Sequence, residues 1–279
     1  MTINLVEKFS TVVDEKFTQD SKSSLLTNND YDWTGARTIK VYTVTTAQMN
    51  DYNRAGSDAT GFKSRYGDIQ GLDATTKDYT LTKDRSFTFA IDKLDSDETQ
   101  GVLQAGSALA RQQREVIILE LDSYVFNAMT KGAGTVVEVE LTKDTIYDEI
   151  LKANELLDDN FVPESGRVLV VTPSSHKALK QSGYLRDNEI AQDMLVKGIV
   201  GMVDGLPVMK VSKARLPEGF GFMIAHPVAT VAPKKLEEYK VHEDPPFISG
   251  SLVEGRIAYD AFVLENKKLA IYYAKATIA

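Results

Sequence analysis

About thirty residues, Gln48 to Asp78 (QMNDYNRAGSDATGFKSRYGDIQGLDATTKD), carry four glycines, nine charges and almost no large aliphatic side chains. A compact domain seldom holds a structureless connection of that length, and such segments are usually functional or unfolded. This one is bracketed by two strand-like runs. Thr38 to Val44 (TIKVYTV) leads in, and Tyr79 to Ile91 (YTLTKDRSFTFAI) leads out with Phe87, Phe89 and Ile91 at a period of two. The pattern predicts a hairpin arm extending from a folded body. At ~3.3 Å per residue, an arm of about fifteen residues reaches roughly 50 Å. Two strands alone are marginal in water, so the arm needs a neighbour to lie on. A second copy of the same chain is the expected neighbour.

The 279 residues fit one elaborated unit or two lobes, and 43% hydrophobic content is enough for a real core. Net charge is −8, and no segment carries a basic run. Binding to a phosphate backbone needs clustered Lys and Arg, so it is excluded as the main activity. The chain has no cysteine, which excludes a disulfide scaffold, a thiolate metal site and a cysteine nucleophile. No apolar run approaches ~18 residues. The start, MTINLVEKF, lacks a basic n-region and an h-region. A soluble chain that is not exported and touches no membrane is the expectation.

Leu5, Val6, Phe9, Val12, Val13 and Phe17 recur at helical spacing and predict an amphipathic helix in the first twenty residues. It either packs on its own core or lies as an arm on a neighbouring subunit. Trp33, the only tryptophan, reads as a core or interface anchor. The strongest helix signal opens at Ser96 or Asp97 and runs to about Met129, with Leu103, Ala110, Ile117 and Tyr124 seven apart. Asp97 and Glu98 suit its first turn and Gly132 and Gly134 its end. Some thirty residues make a spine of roughly 45 Å. From Thr142 the pattern turns to α/β. A helix carries Ile146, Ile150, Ala153 and Leu157, a buried strand spans Arg167 to Val171, and Thr172 with Pro173 opens a helix stopped at Gly183. Strands follow at Leu206 to Val211 and Gly221 to Ile224. Ile257 to Leu264 and Leu269 to Ala274 read as two alternating strands turning at NKK.

No set of residues asks to be a catalytic, cofactor or metal site. His176, His226 and His242 lack a second ligand at metal-site spacing, and there is no nucleophile elbow, phosphate loop or dinucleotide fingerprint. The strand–Thr–Pro–helix at 167 to 181 could present amides to an anion, but most such junctions bind nothing. No enzyme activity and no cofactor are expected.

Three stretches carry a resemblance: DYDWTGARTIKVY, then MNDYNRAG with SRYGD, then LTKDRSFTFAID. The last fifty residues (FMIAHPVATVAPKK…GRIAYDAFVLENKKLAIYYAK) add to it. Together they resemble the major capsid protein of tailed bacteriophages, in a Firmicutes-type branch, whose fold is shared with encapsulins and the herpesvirus floor domain. The resemblance covers the whole chain and implies an α+β fold. Its parts would be an N-terminal arm at 1–34, an E-loop hairpin with flanking strands at 35–92 and a peripheral domain with the spine helix at 93–139. An axial domain at 140–250 and returning peripheral strands at 251–279 would complete it.

By that resemblance the chain is a structural subunit that forms pentamers and hexamers of an icosahedral shell, in the virion and assembled in the host cytoplasm. The shell would enclose DNA without sequence-specific binding, with a separate scaffolding protein and a portal as partners, since the long N-terminal scaffolding extension of some members is lacking. Within it, Arg54, Lys63 and Arg65 would make polar contacts to the next subunit, with Tyr52, Phe62 and Tyr66 as packing anchors; Trp33 and Arg37 join them as contact candidates. Some members form Lys–Asn cross-links. Lys63 is the only lysine between Lys40 and Lys77 and would be the donor, but no motif marks a matching Asn and Glu. Two rival readings are an encapsulin-like compartment shell and, from another class, a small-molecule-binding α/β domain with the hairpin as its lid.

Overall fold

The alternation in TIKVYTV does produce a strand, but its partner is not the run that the periodicity suggests. The computed structural model describes residues 21–28, 30–31, 38–52, 54, 65–67, 71–98, 104–184 and 198–277. The amphipathic segment 1–20 lies outside them, as do Trp33, Arg37, Phe62 and Lys63. The chain divides into two compact units, Trp33–Leu81 and a larger one made of Met1–Asp32 and Thr82–Ala279.

In the smaller unit, β1 (Thr38–Val44) pairs antiparallel with β2 (Ala74–Thr80), Thr38 opposite Thr80 and Val44 opposite Ala74. The expected single lead-out strand, Tyr79 to Ile91, is therefore two. It breaks at Leu81 and Thr82, and β3 (Lys83–Asp92) belongs to a different sheet. The break has a physical cause. Thr82 gives up the ladder and instead donates its backbone N–H and its hydroxyl to Asp260, each at 2.8 Å.

In the larger unit, β3 pairs with β11 (Gly250–Tyr259), which pairs with β10 (Lys234–Glu243), all antiparallel. Tyr239, Gly255 and Phe87 are in register across the three strands. A Cβ on Gly255 would stand 2.2 Å from the Phe87 ring, so the glycine makes room for the aromatic across from it. One face of this sheet carries Phe87, Phe89, Ile91, Tyr239, Val253 and Ile257. The other carries Asp84, Glu238, Lys240, His242, Glu254 and Arg256, with Arg256 forked onto Asp84 at 2.9 and 2.6 Å.

The spine helix differs from expectation at its start. Asp92 accepts from the Leu94 amide at 2.8 Å and opens a short helix, α1 (Lys93–Glu98), directly after β3. Gln104 is extended (φ −102°, ψ 139°), so the long helix begins afresh at α2 (Ala105–Gln112). It continues through a π turn, Gln113–Ile117, into α3 (Ile118–Gly132). Ile117, Leu121 and Tyr124 pack on Ile257 and Tyr259 of β11. Val125, Phe126 and Met129 enter the main core. The spine thus joins two cores. Gly134, just past its end, is required by close approach, since a Cβ there would lie 2.6 Å from the Lys268 carbonyl oxygen.

The main core is built around a six-stranded mixed sheet. Its strands are β4 (Thr135–Val139), β5 (Val168–Val171), β6 (Ile199–Val203), β7 (Leu206–Lys210), β8 (Phe220–Ala225) and β13 (Ile271–Ala276), ordered β4-β13-β8-β5-β7-β6. Helix α4 (Ile146–Asp159) buries Ile146, Ile150, Ala153 and Leu157 as its period predicts. Helix α5 (Pro173–Ser182) starts where Thr172 accepts from the Ser175 amide and stops at left-handed Gly183, φ +80°. A two-stranded ladder, β9 (Thr230–Val231) with β12 (Phe262–Val263), completes the unit.

The predicted C-terminal hairpin does not form. β11 and β13 lie in different sheets, and NKK sits in a 3-10 segment, Glu265–Ala270, rather than in a tight turn. Hydrogen bonds from Leu264 N to Ala229 O and from Gly134 N to Lys268 O, each 2.9 Å, hold that connection to other elements. Among the described residues no helix is long and apolar enough to cross a membrane.

Candidate functional site: an assembly surface

Within the smaller unit the β1–β2 ladder is held by polar cross-strand pairs. Thr38 and Thr80 share a hydroxyl hydrogen bond of 2.8 Å, and Lys40 lies 3.9 Å from Asp78, directly opposite. Such exposed pairs contribute little each. Past the last rung, Thr45 N donates to Asp73 O at 2.9 Å and Thr45 Oγ1 accepts from Asp73 N at 3.0 Å, extending the pairing toward the tip.

Nearer the tip, Tyr52 and Tyr66 come together edge to face with ring centroids 5.1 Å apart. Asn50 fixes the second ring's backbone by donating to the Tyr66 carbonyl at 3.3 Å. Gly67 follows at φ +87°, where a Cβ would run into the Asn50 side chain at 2.6 Å. Both rings stay largely in solvent, Tyr66 at 78% exposure. Arg54 and Arg65, the other described contact candidates, are exposed. Sequence reasoning overlooked Tyr42, Met49 and Leu72, which are also exposed, Met49 almost completely. The alternation of TIKVYTV held the signal for Tyr42, since it shares a face with Thr38, Lys40 and Val44. Nothing in the local pattern singles out Met49.

On the larger unit, Phe161 and Phe247 are fully exposed rings on left-handed backbone, φ +56° and +73°. That region is unfavourable for a bulky residue and marks a position worth explaining. Phe247 sits in the turn between β10 and β11, which Asp244 closes by donating its N–H to Gly250 O at 2.8 Å and accepting from Gly250 N at 3.2 Å.

The interior holds polar hubs instead of a reactive cluster. Arg167, 1% exposed, donates to the Pro163 carbonyl at 3.0 Å and pairs with Asp158 at 2.7 Å, pinning the loop between α4 and β5. His226 accepts from Val228 N on Nδ1 at 3.1 Å, so its Nε2 carries the proton that points at Ser165 O, 3.0 Å away. Burial pushes the Tyr124 and Tyr259 hydroxyls up, and donation to Asp260 and Glu120 respectively adds to it. Among the described residues no three His, Cys, Asp or Glu side chains are grouped to hold a metal ion.

No protein-family model matches the chain, and no curated protein does. Solved structures match it from end to end. A chain from Mycobacterium phage Che8 superposes with a TM-score of 0.74 at 17% identity, covering 98% of each chain. One from the capsid of Cyanophage P-SCSP1u gives 0.74 at 14%, covering 99% of this chain and 94% of that one. One from the mature capsid of bacteriophage PhiM1 gives 0.72 at 12%, covering 99% and 93%. The chain has the phage major capsid fold. At these identities the likeness is one of backbone, so the side chains that make contacts have to be argued from this molecule alone.

Proposed function

We propose that this chain is the major capsid protein of a tailed phage of the Firmicutes-type branch, assembling through pentamers and hexamers into an icosahedral shell around the genome. The observation that carries the reading is end-to-end likeness to phage capsid chains, joined to a separate hairpin unit whose aromatic side chains are exposed. Buried aromatics clustered at an interface centre supply most of the binding energy in protein contacts. Tyr52 and Tyr66, in contact with each other, are that cluster in the E-loop reading, and Tyr42 and Met49 are further exposed apolar side chains of the same unit. Arg54 and Arg65 supply the polar rim. Trp33, Arg37, Phe62 and Lys63, outside the described residues, are the remaining contact candidates of this reading.

In this reading 1–34 is the N-terminal arm, 35–92 the E-loop with its flanking strands, 93–139 the peripheral domain with the spine, 140–250 the axial domain and 251–279 the returning peripheral strands. The six-stranded sheet draws β4 and β13 from the peripheral ranges beside the axial strands. Heterologous cyclic contacts close into rings of five and six. A subunit with net charge −8 leaves the packaged DNA free to move, because retention needs clustered cations. A separate scaffolding protein and a portal complete the partners, and assembly takes place in the host cytoplasm. An encapsulin-like compartment is the outcome if particles carry enzyme cargo and no DNA. Among the described residues no group of metal-ligating side chains converges for a lid to close over.

Deleting Gly56 to Gly67 tests the E-loop assignment. The expected result is a folded monomer, with an unchanged circular dichroism spectrum, that forms no shells. Normal particles from the deletion would overturn the assignment.

A further inference from the structure

Two buried carboxylates sit where the two long excursions of the chain meet the spine. Asp260, 3% exposed, accepts four hydrogen bonds. Its Oδ2 takes the Thr82 N–H and hydroxyl, both at 2.8 Å, and its Oδ1 takes the Tyr124 hydroxyl at 2.7 Å and the Ala261 N–H at 2.8 Å. Thr82 is the residue at which the chain re-enters the larger unit after the hairpin. Tyr124 is on α3. Two residues earlier on the same helix, Asp122 is fully buried. It accepts from Ser21 Oγ at 2.8 Å, Lys22 N at 2.9 Å, Ser23 Oγ at 2.7 Å and Ser23 N at 3.3 Å, and pairs with Arg215 at 2.6 Å. Residues 21 to 23 follow directly on the amphipathic N-terminal segment. Residues two apart on a helix point to well-separated sides, so one level of the spine holds one root on each side.

Ordinary core packing does not call for this. An apolar spine would seal the same core, whereas a buried carboxylate must have its lone pairs filled to be tolerated. Here every donor that fills them, apart from Arg215 and Ala261, comes from a root or from the spine itself. Charge-assisted hydrogen bonds are short and directional, and so fix an angle where apolar contact would allow sliding.

We propose that Asp122 and Asp260 are positioning residues for assembly, tying residues 21–23 and Thr82, where the chain enters the larger unit, to residues 122–124 of the spine. The proposal rests on the capsid reading for its purpose, and its local part can be read without it. The test uses the full-length chain with Thr82→Val, which keeps shape and backbone N–H but loses the hydroxyl, and with Thr82→Ser, which keeps it. Hydrogen-exchange mass spectrometry follows peptides covering 78–86, with Asp122→Asn followed over 21–28.

Thr82→Val should raise exchange at 78–86 by about tenfold, the loss of one hydrogen bond to a charged group, while exchange in β5 and β8 stays unchanged. Shell yield should fall with it, and Thr82→Ser should restore both. Asp122→Asn should do the same at 21–28; if it fails to fold, Ser23→Ala removes one hydroxyl donor to Asp122 more gently. Wild-type exchange at the root together with wild-type shell yield in Thr82→Val would overturn the proposal. So would a uniform rise across the whole body, which is the mark of simple destabilisation. If the wild-type chain forms no shells under any condition, the capsid reading fails, and the exchange pattern still decides whether the roots are locked.

Discussion

Tyr259 shows how much of the molecule's pH response rests on single hydroxyls. It is 3% exposed and donates to Glu120 at 3.0 Å, which Arg85 also holds at 2.9 Å. Burial first, and that bond second, push its hydroxyl well above the usual tyrosine value near 10. Burial and donation to Glu237 push Tyr239 up to about 12. Tyr124, Tyr272 and Tyr273 move the same way, chiefly by burial. Above about pH 10 an unfolded tyrosine has lost its proton while these keep theirs, so the folded state binds more protons and stability falls as pH rises. The full contribution is present below about pH 10. Each such tyrosine adds up to about 1.4 kcal/mol of loss per pH unit above it. The urea midpoint should therefore drop between about pH 10 and 12, and Tyr259→Phe should make the drop shallower. An unchanged slope in that variant would contradict the raised Tyr259 hydroxyl.

In the larger unit the spine helix packs on both apolar clusters. Leu121 packs on Ile257 and Tyr259, while Val125 and Phe126, one turn on, belong to the main core. Leu121→Ala should cost about 2–5 kcal/mol, as large-to-small core changes do. Hydrogen exchange should rise first in β3, β10 and β11, leaving β5 and β8 protected; a rise in β5 and β8 equal to that in β3 would show one undivided core. These elements were legible in the sequence to different degrees. The helices at 146–159 and 173–182 follow from local chemistry, apolar period in one and Thr-Pro with a closing glycine in the other, and stand as expected. The break at Thr82, the fresh start at Gln104 and the parting of β11 from β13 were not legible. The first depends on a partner far along the chain, Asp260 for Thr82, and the last on which sheet each strand joins. The candidate contact residues were legible only as a region. Tyr52 and Tyr66 prove to touch, yet Met49, the most exposed apolar side chain among the described residues of the hairpin, sits among polar residues that give no cue.

At the scale of the whole molecule, end-to-end likeness to phage capsid chains gives the fold, and the reading built on it is of a subunit completed by its neighbours. A two-stranded ladder with exposed Tyr42, Met49, Tyr52 and Tyr66 has little to stabilise it alone. Obligate assemblies bury about 2,000–5,000 Å² per interface, enough to cover such a surface. The measurement that bears on this most directly is size-exclusion light scattering with negative-stain microscopy, on the purified chain alone and with the scaffolding protein. Closed shells, rings of five or six, or sheets are the predicted result. A chain that stays monomeric when the scaffolding protein is supplied would contradict it.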